Sequence, residues 1–431
     1  MTTRPHRGDG LSRGLLLLMS TATGLAVAGN YFAQPLLDLL GRELRLGPTL
    51  AALTVTAAQG GYALGLILLV PLGDLVERRR LAVSLYAATA VFLLVSATAP
   101  SGTVLLAGTA LTALTSVGAQ VVVPFAATLA DPAERGRVVG TVMTGLMLGL
   151  LLARTASGAL SELGGWRTAY WVNAVLMALM AVLLRARLPR LGGSGSGDGD
   201  GSEGVAGERR SYLVLLRSTA ALFHHEPLLR RRAAIGALSL ASFSVLWTAL
   251  TFLLAGPPYG WSESAVGLVG LVGVAGALTA MVAGRLADRG HVQIVTGAGT
   301  ILLLASWPVI AVGAHSLFWL LTGVIVLDLA HQALLNGNQT VLYALRPEAR
   351  NRINSAFMTS MFLGGAAGSA LTSVAWVNGG WTAVCVLGAA LSAGAVALWG
   401  LERVTAGRVA RNLQKTPVHQ DDDPAPAAST T

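Results

Sequence analysis

Asp328 stands inside an apolar run, twelve residues beyond its start at position 316. That is roughly 18 Å of helix at 1.5 Å per residue. A carboxylate that deep in hydrocarbon costs several kcal/mol, so it marks a functional site by default. Gln332, Asn336 and Gln339 follow it at intervals of four, eight and eleven residues. At about 100° per residue these four side chains fall within about 80° of one another and form one polar stripe. Lipid would leave such a stripe unsatisfied, so it must face a water-filled cavity or a partner helix. The chemistry on offer is an acid that takes up and gives back a proton, beside amides that can hold a polar ligand.

Two other apolar runs carry similar faces. Asn30, Gln34 and Asp38 recur at a spacing of four, and Thr109, Thr112, Ser116 and Gln120 share one side of a later run. Three polar faces suit a central ligand path between two helix bundles; the alternative is interhelical hydrogen-bond glue. The expected pocket is Asn30, Gln34, Gln120, Trp247, Gln332 and Asn336. Arg154 lies seventeen residues beyond Arg137, or about 25 Å along a helix. It either snorkels to the membrane surface or serves Asp328 as counter-ion in proton coupling. His331 is offset from the Asp328 stripe and is either a structural histidine or a proton relay.

Other clusters carry less. The neighbours His224 and His225, with Glu226, point apart on a helix and read as a solvated group, not a metal site. The single cysteine, Cys385, permits no disulfide within the chain. No nucleophile–base pair, zinc spacing or phosphate loop is present, so no enzyme activity, cofactor or metal is expected.

The elements that position these residues follow from composition. Charged residues make up 12% of the chain, about half the share of a soluble domain at roughly 25%. Mean hydropathy is +0.63. Twelve stretches are long enough to cross about 30 Å of hydrocarbon. They cover residues 14–40, 50–72, 81–99, 103–130, 138–160, 167–187, 232–254, 264–284, 292–313, 316–345, 353–376 and 381–401. The expected fold is therefore an all-α membrane protein of twelve transmembrane helices in two pseudo-symmetric six-helix bundles. An internal repeat supports the two-fold division. Pro132, Arg135, Arg137, Met143, Thr144, Leu148, Gly149 and Gly164-Gly165-Trp166 recur 215 positions later, ending in Gly379-Gly380-Trp381.

A pI of 10.5 would suit nucleic-acid binding, but the basic residues are not distributed for it. Assigning both termini and every even-numbered connection to one side places 26 of the 30 Lys and Arg residues there. That is the positive-inside bias, with both termini cytoplasmic. Arg4, Arg7 and Arg13 before an apolar run resemble a signal peptide, but cleavage near Ala28 would break the six-plus-six symmetry. The domains expected are an N-terminal bundle at 1–190, a cytoplasmic linker at 191–230, a C-terminal bundle at 231–405 and a disordered cytoplasmic tail at 406–431. The linker opens Gly/Ser-rich and ends in a short amphipathic helix from Tyr212 to Glu226.

The loop after the second run, Val70-Pro71-Leu72-Gly73-Asp74-Leu75-Val76-Glu77-Arg78-Arg79, resembles the G-x-x-x-D-R-x-G-R-R signature of the major facilitator superfamily. It keeps the aspartate and arginines and lacks both glycines and the arginine after the aspartate. Gly284-Arg285-Leu286-Ala287-Asp288-Arg289-Gly290 is the second-half copy. Asn30 to Leu37, Pro71 to Asp74 and Gly149 with Arg154 together resemble a bacterial subgroup of drug and metabolite exporters similar to the arabinose-efflux permease. The antiporter signature of that subgroup's fifth helix has proline where Leu150 stands here. The resemblance implies a cytoplasmic gate of Asp74, Arg78, Arg79, Asp131, Asp288 and Arg289. In it Asp74 would face the N-terminus of the eleventh helix near Asn354 and Ser355, and Arg78 or Arg79 would pair with Asp131.

The resulting expectation is a secondary transporter in the bacterial inner membrane. It would export a small organic molecule (drug, sugar or metabolite) by alternating access, coupled to protons through Asp328 and Arg154. Its partners would be that substrate, protons and lipid. The alternatives are an uptake symporter, a uniporter, or a membrane sensor that binds without transporting.

Overall fold

The computed structural model describes residues 12–131, 134–189, 212–273, 292–346 and 349–415. It is an all-helical membrane fold. Ten of the described helices are long and apolar enough to span a bilayer: α1 (Arg13–Glu43), α2 (Pro48–Gly73), α3 (Arg78–Ala97), α4 (Gly102–Leu129), α5 (Arg135–Gly164), α6 (Trp166–Arg187), α7 (Pro227–Ala255), Val292–Val312, Leu317–Leu345 and Arg350–Thr405. The last is two helices in one, since non-helical backbone at Gly379 and Gly380 divides it. Between α7 and Val292–Val312 runs a shorter apolar helix, Glu263–Val272, where the eighth predicted span begins. We number these α8 (Glu263–Val272), α9 (Val292–Val312), α10 (Leu317–Leu345), α11 (350–378) and α12 (381–415).

The repeated Gly-Gly-Trp motif makes the same turn in each half. Gly165 ends α5 at φ +79°, and Gly380 separates α11 from α12 at φ +55°. Both values lie in the left-handed region that only glycine enters without a steric penalty. Trp166 and Trp381 then start the next helix. Trp166 is fully buried, and the Trp381 indole donates to the Ile310 carbonyl at 3.3 Å.

Lipid offers no hydrophobic drive for helix association, so close backbone approach has to supply it. At the α1–α5 contact a methyl on Gly149 would overlap the backbone of Gly24. At the α7–α11 contact, methyls on Gly364 and Gly368 would overlap the backbones of Ala237 and Ala241. One buried cluster draws its core from positions between Met19 and Leu188. Two more draw theirs from positions between Leu229 and Cys385.

The loops segregate to two faces. On the odd-loop face, Arg167 bonds the Ala99 carbonyl at 2.9 Å and Tyr259 the Gly313 carbonyl at 2.7 Å. On the even-loop face, Arg79 donates to the Arg185 carbonyl, and Arg231 to Thr405 at 3.0 Å. The surface helix Tyr212–His225 joins this second face, where the Tyr212 hydroxyl donates to the Leu68 carbonyl at 2.7 Å.

Helix α1 is not continuous. It is regular from Arg13 to Ala28 and then passes through two 3₁₀ turns, Gly29–Tyr31 and Gln34–Leu36, before recovering at Leu37. Pro35, which has no N–H to give the ladder, lies in the second turn. Asn30 lies in the first of these turns and Gln34 in the second, and Asp38 follows where the helix has recovered. Asp38 meets Arg42 at 3.0 Å on a partly exposed surface. Helix α4 is likewise interrupted at Val117.

Candidate functional site

Asp328 is 5% exposed and lies eleven residues from the start of α10. Arg154 is ten residues from the end of α5, and Trp247 eight from the end of α7. At 1.5 Å per residue all three sit in one layer, roughly 12–17 Å below the odd-loop ends of their helices.

Within that layer the contacts are specific. The Trp247 indole N–H donates to Asp328 Oδ1 at 3.3 Å. The Arg154 guanidinium carbon lies 3.9 Å from the centroid of the same indole, a cation–π arrangement that strengthens out of water. The rings of Tyr31 and Phe243 stand 5.0 and 6.0 Å from it. Arg154 Nε donates to Gln34 Oε1 at 2.6 Å, while its Nη2 is buried with no hydrogen-bond partner among the described residues. Arg154 comes from the first half and Asp328 and Trp247 from the second, so the group bridges the two halves. An indole, not a direct ion pair, joins the two charges.

Helix α8 supplies the floor of this layer. Its second part is a 3₁₀ turn, Val269–Val272, and two glycines face the charges. A methyl on Gly270 would come within 2.9 Å of Arg154 Cβ, and one on Gly273, the residue after α8, within 2.9 Å of Leu151 Cδ2 and 3.4 Å of Asp328 Oδ2. Larger side chains there would displace both groups.

The halves are also tied together on the odd-loop side of this layer. Arg42 pairs with Glu263 at 2.9 Å, and Thr155 donates to the Gly267 carbonyl at 3.0 Å. Thr251 donates to the Gln34 carbonyl at 2.7 Å. Gln59 bonds Ser244 at 2.7 Å, deeper in the interface. Towards the even-loop face, Tyr62 packs on Phe362 at 4.4 Å, and Ser355 donates to the Leu66 carbonyl at 3.1 Å.

The other expected pocket residues divide. Gln34 is buried against Arg154, as above. Asn30 occupies the first 3₁₀ turn of α1, half-buried, with Oδ1 lacking a partner among the described residues. Gln332 and Asn336 continue half-buried along α10. Gln120 donates to the Tyr62 hydroxyl at 3.2 Å and belongs with the Tyr62–Phe362 pair. The stripe ends in glue: Gln339 reaches Asn354 at 3.4 Å, joining α10 to α11. His331 shares a hydrogen bond of 2.9 Å with Ser239 and stacks by Phe243 at 4.7 Å.

The expected gate is only partly described. The Asp74 backbone closes the 3₁₀ turn Val70–Asp74, but its side chain lies outside the described residues. So do Asp288 and Arg289. Arg78 bonds the Gly73 carbonyl at 3.4 Å, Arg79 bonds the Arg185 carbonyl, and Asp131 is exposed.

The sequence did not disclose a second buried charge group. Arg232, fully buried, pairs with Glu402 at 2.5 Å and donates to Thr296 at 2.9 Å and Asn338 at 3.3 Å. It ties α7, α9, α10 and α12 together near the even-loop face. The available signal was that Arg232 opens one apolar run while Glu402 closes another at the same membrane face.

Comparisons with known proteins agree with this architecture. Residues 19–256 and 232–426 match the sequence profile described as Major Facilitator Superfamily. The chain is 49% identical to the uncharacterized transporter YgaY of Escherichia coli O157:H7, over 92% of this chain and 97% of that one. It is 34% identical to the transporter SCO4007 of Streptomyces coelicolor, over 88% and 85%. Among solved structures it superposes on a bacterial homolog of the human lysosomal transporter Spinster in an inward-facing, occupied conformation. That match has a TM-score of 0.65 at 16% identity, covering 94% of this chain and 96% of the other.

Proposed function

The chain belongs to the Major Facilitator Superfamily, and on that premise we propose that it exports a small organic molecule from the bacterial cytoplasm in exchange for protons. Membership makes it a multi-pass membrane transporter of small molecules and not an enzyme. Coupling and direction are our reading. One observation carries it: a buried acid, Asp328, in contact with the element that bridges the two halves. A carboxyl placed there can hold a proton in one arrangement of the halves and yield it in the other, which is what alternating access about a midplane site requires.

The even-loop face is then cytoplasmic, with both termini and the linker at 191–230, because it carries the positive-inside excess. The Arg42–Glu263 pair closes the outer side. The bundles at 1–190 and 231–405 rock about the Asp328 layer; the chain from 406, expected to be disordered but helical as the end of α12 to Lys415, takes no part. Gating at the cytoplasmic side falls to Asp74, Arg78, Arg79 and Asp131, with Asp288 and Arg289 in the second half. The signature-loop and α1 residues support a place beside the drug and metabolite exporters similar to the arabinose-efflux permease. Asn30, Gln34, Trp247, Gln332 and Asn336 contact substrate, with Gln120 at the margin.

Everted membrane vesicles containing the chain, energised to an acidic interior and reported by a quenched dye, test this reading. Adding a transported compound from a panel is expected to release protons from those vesicles and not from vesicles lacking the chain. Equal traces for every compound would contradict proton exchange.

A further inference from the structure

The interface between the halves carries two opposite charges held apart. Trp247 stands between them: its face takes the Arg154 guanidinium and its edge N–H takes Asp328 Oδ1. Neither charge saturates the other. Arg154 keeps a buried Nη2 without a partner among the described residues. Asp328 Oδ2 lies towards Gly273, beside the Leu151 side chain. A buried charged donor left unpaired costs free energy that a ligand able to accept there recovers.

Resting on the exchange reading above, we propose that the substrate is a zwitterion of the amino-acid type. Its carboxylate takes Arg154 Nη2, its ammonium takes Asp328, and its apolar part lies against Tyr31 and Phe243. Charge balance argues for both groups. A lone anion at Arg154 would leave Asp328 uncompensated in the low-dielectric interior, and a lone cation at Asp328 would leave Arg154 so. A zwitterion compensates both, and the planar guanidinium fork suits a carboxylate.

Coupling argues for the ammonium in particular. Exchange requires substrate and proton to exclude one another. An ammonium on Asp328 displaces the proton from that carboxylate. An anion alone would bind better when Asp328 is protonated, and linkage would then carry anion and proton in the same direction.

Three probes with a common phenyl body separate the terms: L-phenylalanine, 2-phenylethylamine, which lacks the carboxylate, and 3-phenylpropanoate, which lacks the amine. Equilibrium binding of tritiated phenylalanine to the purified full chain is measured with each analogue as competitor, and a pH indicator follows proton release. Phenylalanine is expected to bind with proton release, and each analogue to compete at least about tenfold more weakly, because each leaves a buried protein charge unpaired. Arg154→Gln should abolish phenylalanine binding, and Arg154→Lys should keep part of it. The wild-type arms need no variant to fold. No phenylalanine binding, or an analogue that competes as well as phenylalanine itself, overturns the zwitterion. If that analogue's own binding releases protons, the exchange reading stands. Phenylalanine binding without proton release overturns exchange instead.

Discussion

The Arg154 guanidinium lies 3.9 Å from the centroid of the Trp247 ring, with Arg154 and Trp247 contributed by opposite halves of the molecule. A cation–aromatic contact across the plane where the halves must move is tolerant of sliding. A bidentate ion pair is not, because its energy depends on a narrow geometry. The bridge therefore suits an interface that changes during transport, and it keeps Asp328 in reach of the cation through the indole N–H.

Trp247 should be separable into its two contributions. Trp247→Phe keeps a ring for Arg154 and loses the N–H to Asp328, whereas Trp247→Ala loses both. A desolvated cation–π contact is worth about 2 kcal/mol, so the alanine variant should transport more than about tenfold more slowly than the phenylalanine variant. Equal rates for the two would show that the stacking contributes nothing.

Close packing predicts a stability effect with a built-in control. Gly149→Leu forces α1 away from α5 and should destabilise by about 1–3 kcal/mol or prevent assembly. Gly136→Ala, at a position with open space around it, should leave the melting temperature unchanged. Thermal unfolding of the detergent-purified protein measures both.

The Arg232–Glu402 pair should matter most when broken on one side. Arg232→Ala leaves the Glu402 carboxylate buried beside Gln293 without its cation, a loss of about 3–5 kcal/mol for such pairs. Replacing both residues with apolar ones of similar size should recover much of that loss. A thermal-shift double-mutant cycle reads the coupling directly. Additive effects would mean that the two side chains do not act as a unit.

Arg42 and Glu263 form the exposed part of the closure on the odd-loop face. Arg42→Ala should favour opening there, but modestly, since exposed pairs contribute about 0.2–1 kcal/mol. Spin labels at Arg45→Cys and His315→Cys would report a larger population of long distances in the variant. An unchanged distance distribution would remove Arg42 from the closure.

The sequence carried those features that the bilayer itself dictates. Span count, the repeat and the intramembrane acid were all legible, because hydrocarbon penalises charge and unpaired backbone wherever they occur. The paired glycines at 164–165 and 379–380 could likewise be read as punctuation. Depth along a helix was readable for Arg154, but direction was not. Residue spacing gives rise, and only neighbours from other helices decide between lipid and interior. The 3₁₀ turns at 29–36, which interrupt the helix between Asn30 and Asp38, were not legible from residue spacing. Arg232 was hidden in a run of three arginines, in which only tertiary packing singles out the one that goes inside. Gln120 kept its polarity but found Tyr62 instead of the Asp328 layer, a choice made by partners on α2 that spacing within α4 does not reveal.

The central claim is that the Asp328 carboxyl carries the proton that is exchanged for substrate. The most direct test compares wild type with Asp328→Asn in everted vesicles at matched expression, following proton release on adding a compound that the wild type transports. The account predicts that release disappears in the asparagine variant, because an amide in the same position cannot cycle a proton. Full substrate-dependent proton release by Asp328→Asn would contradict it.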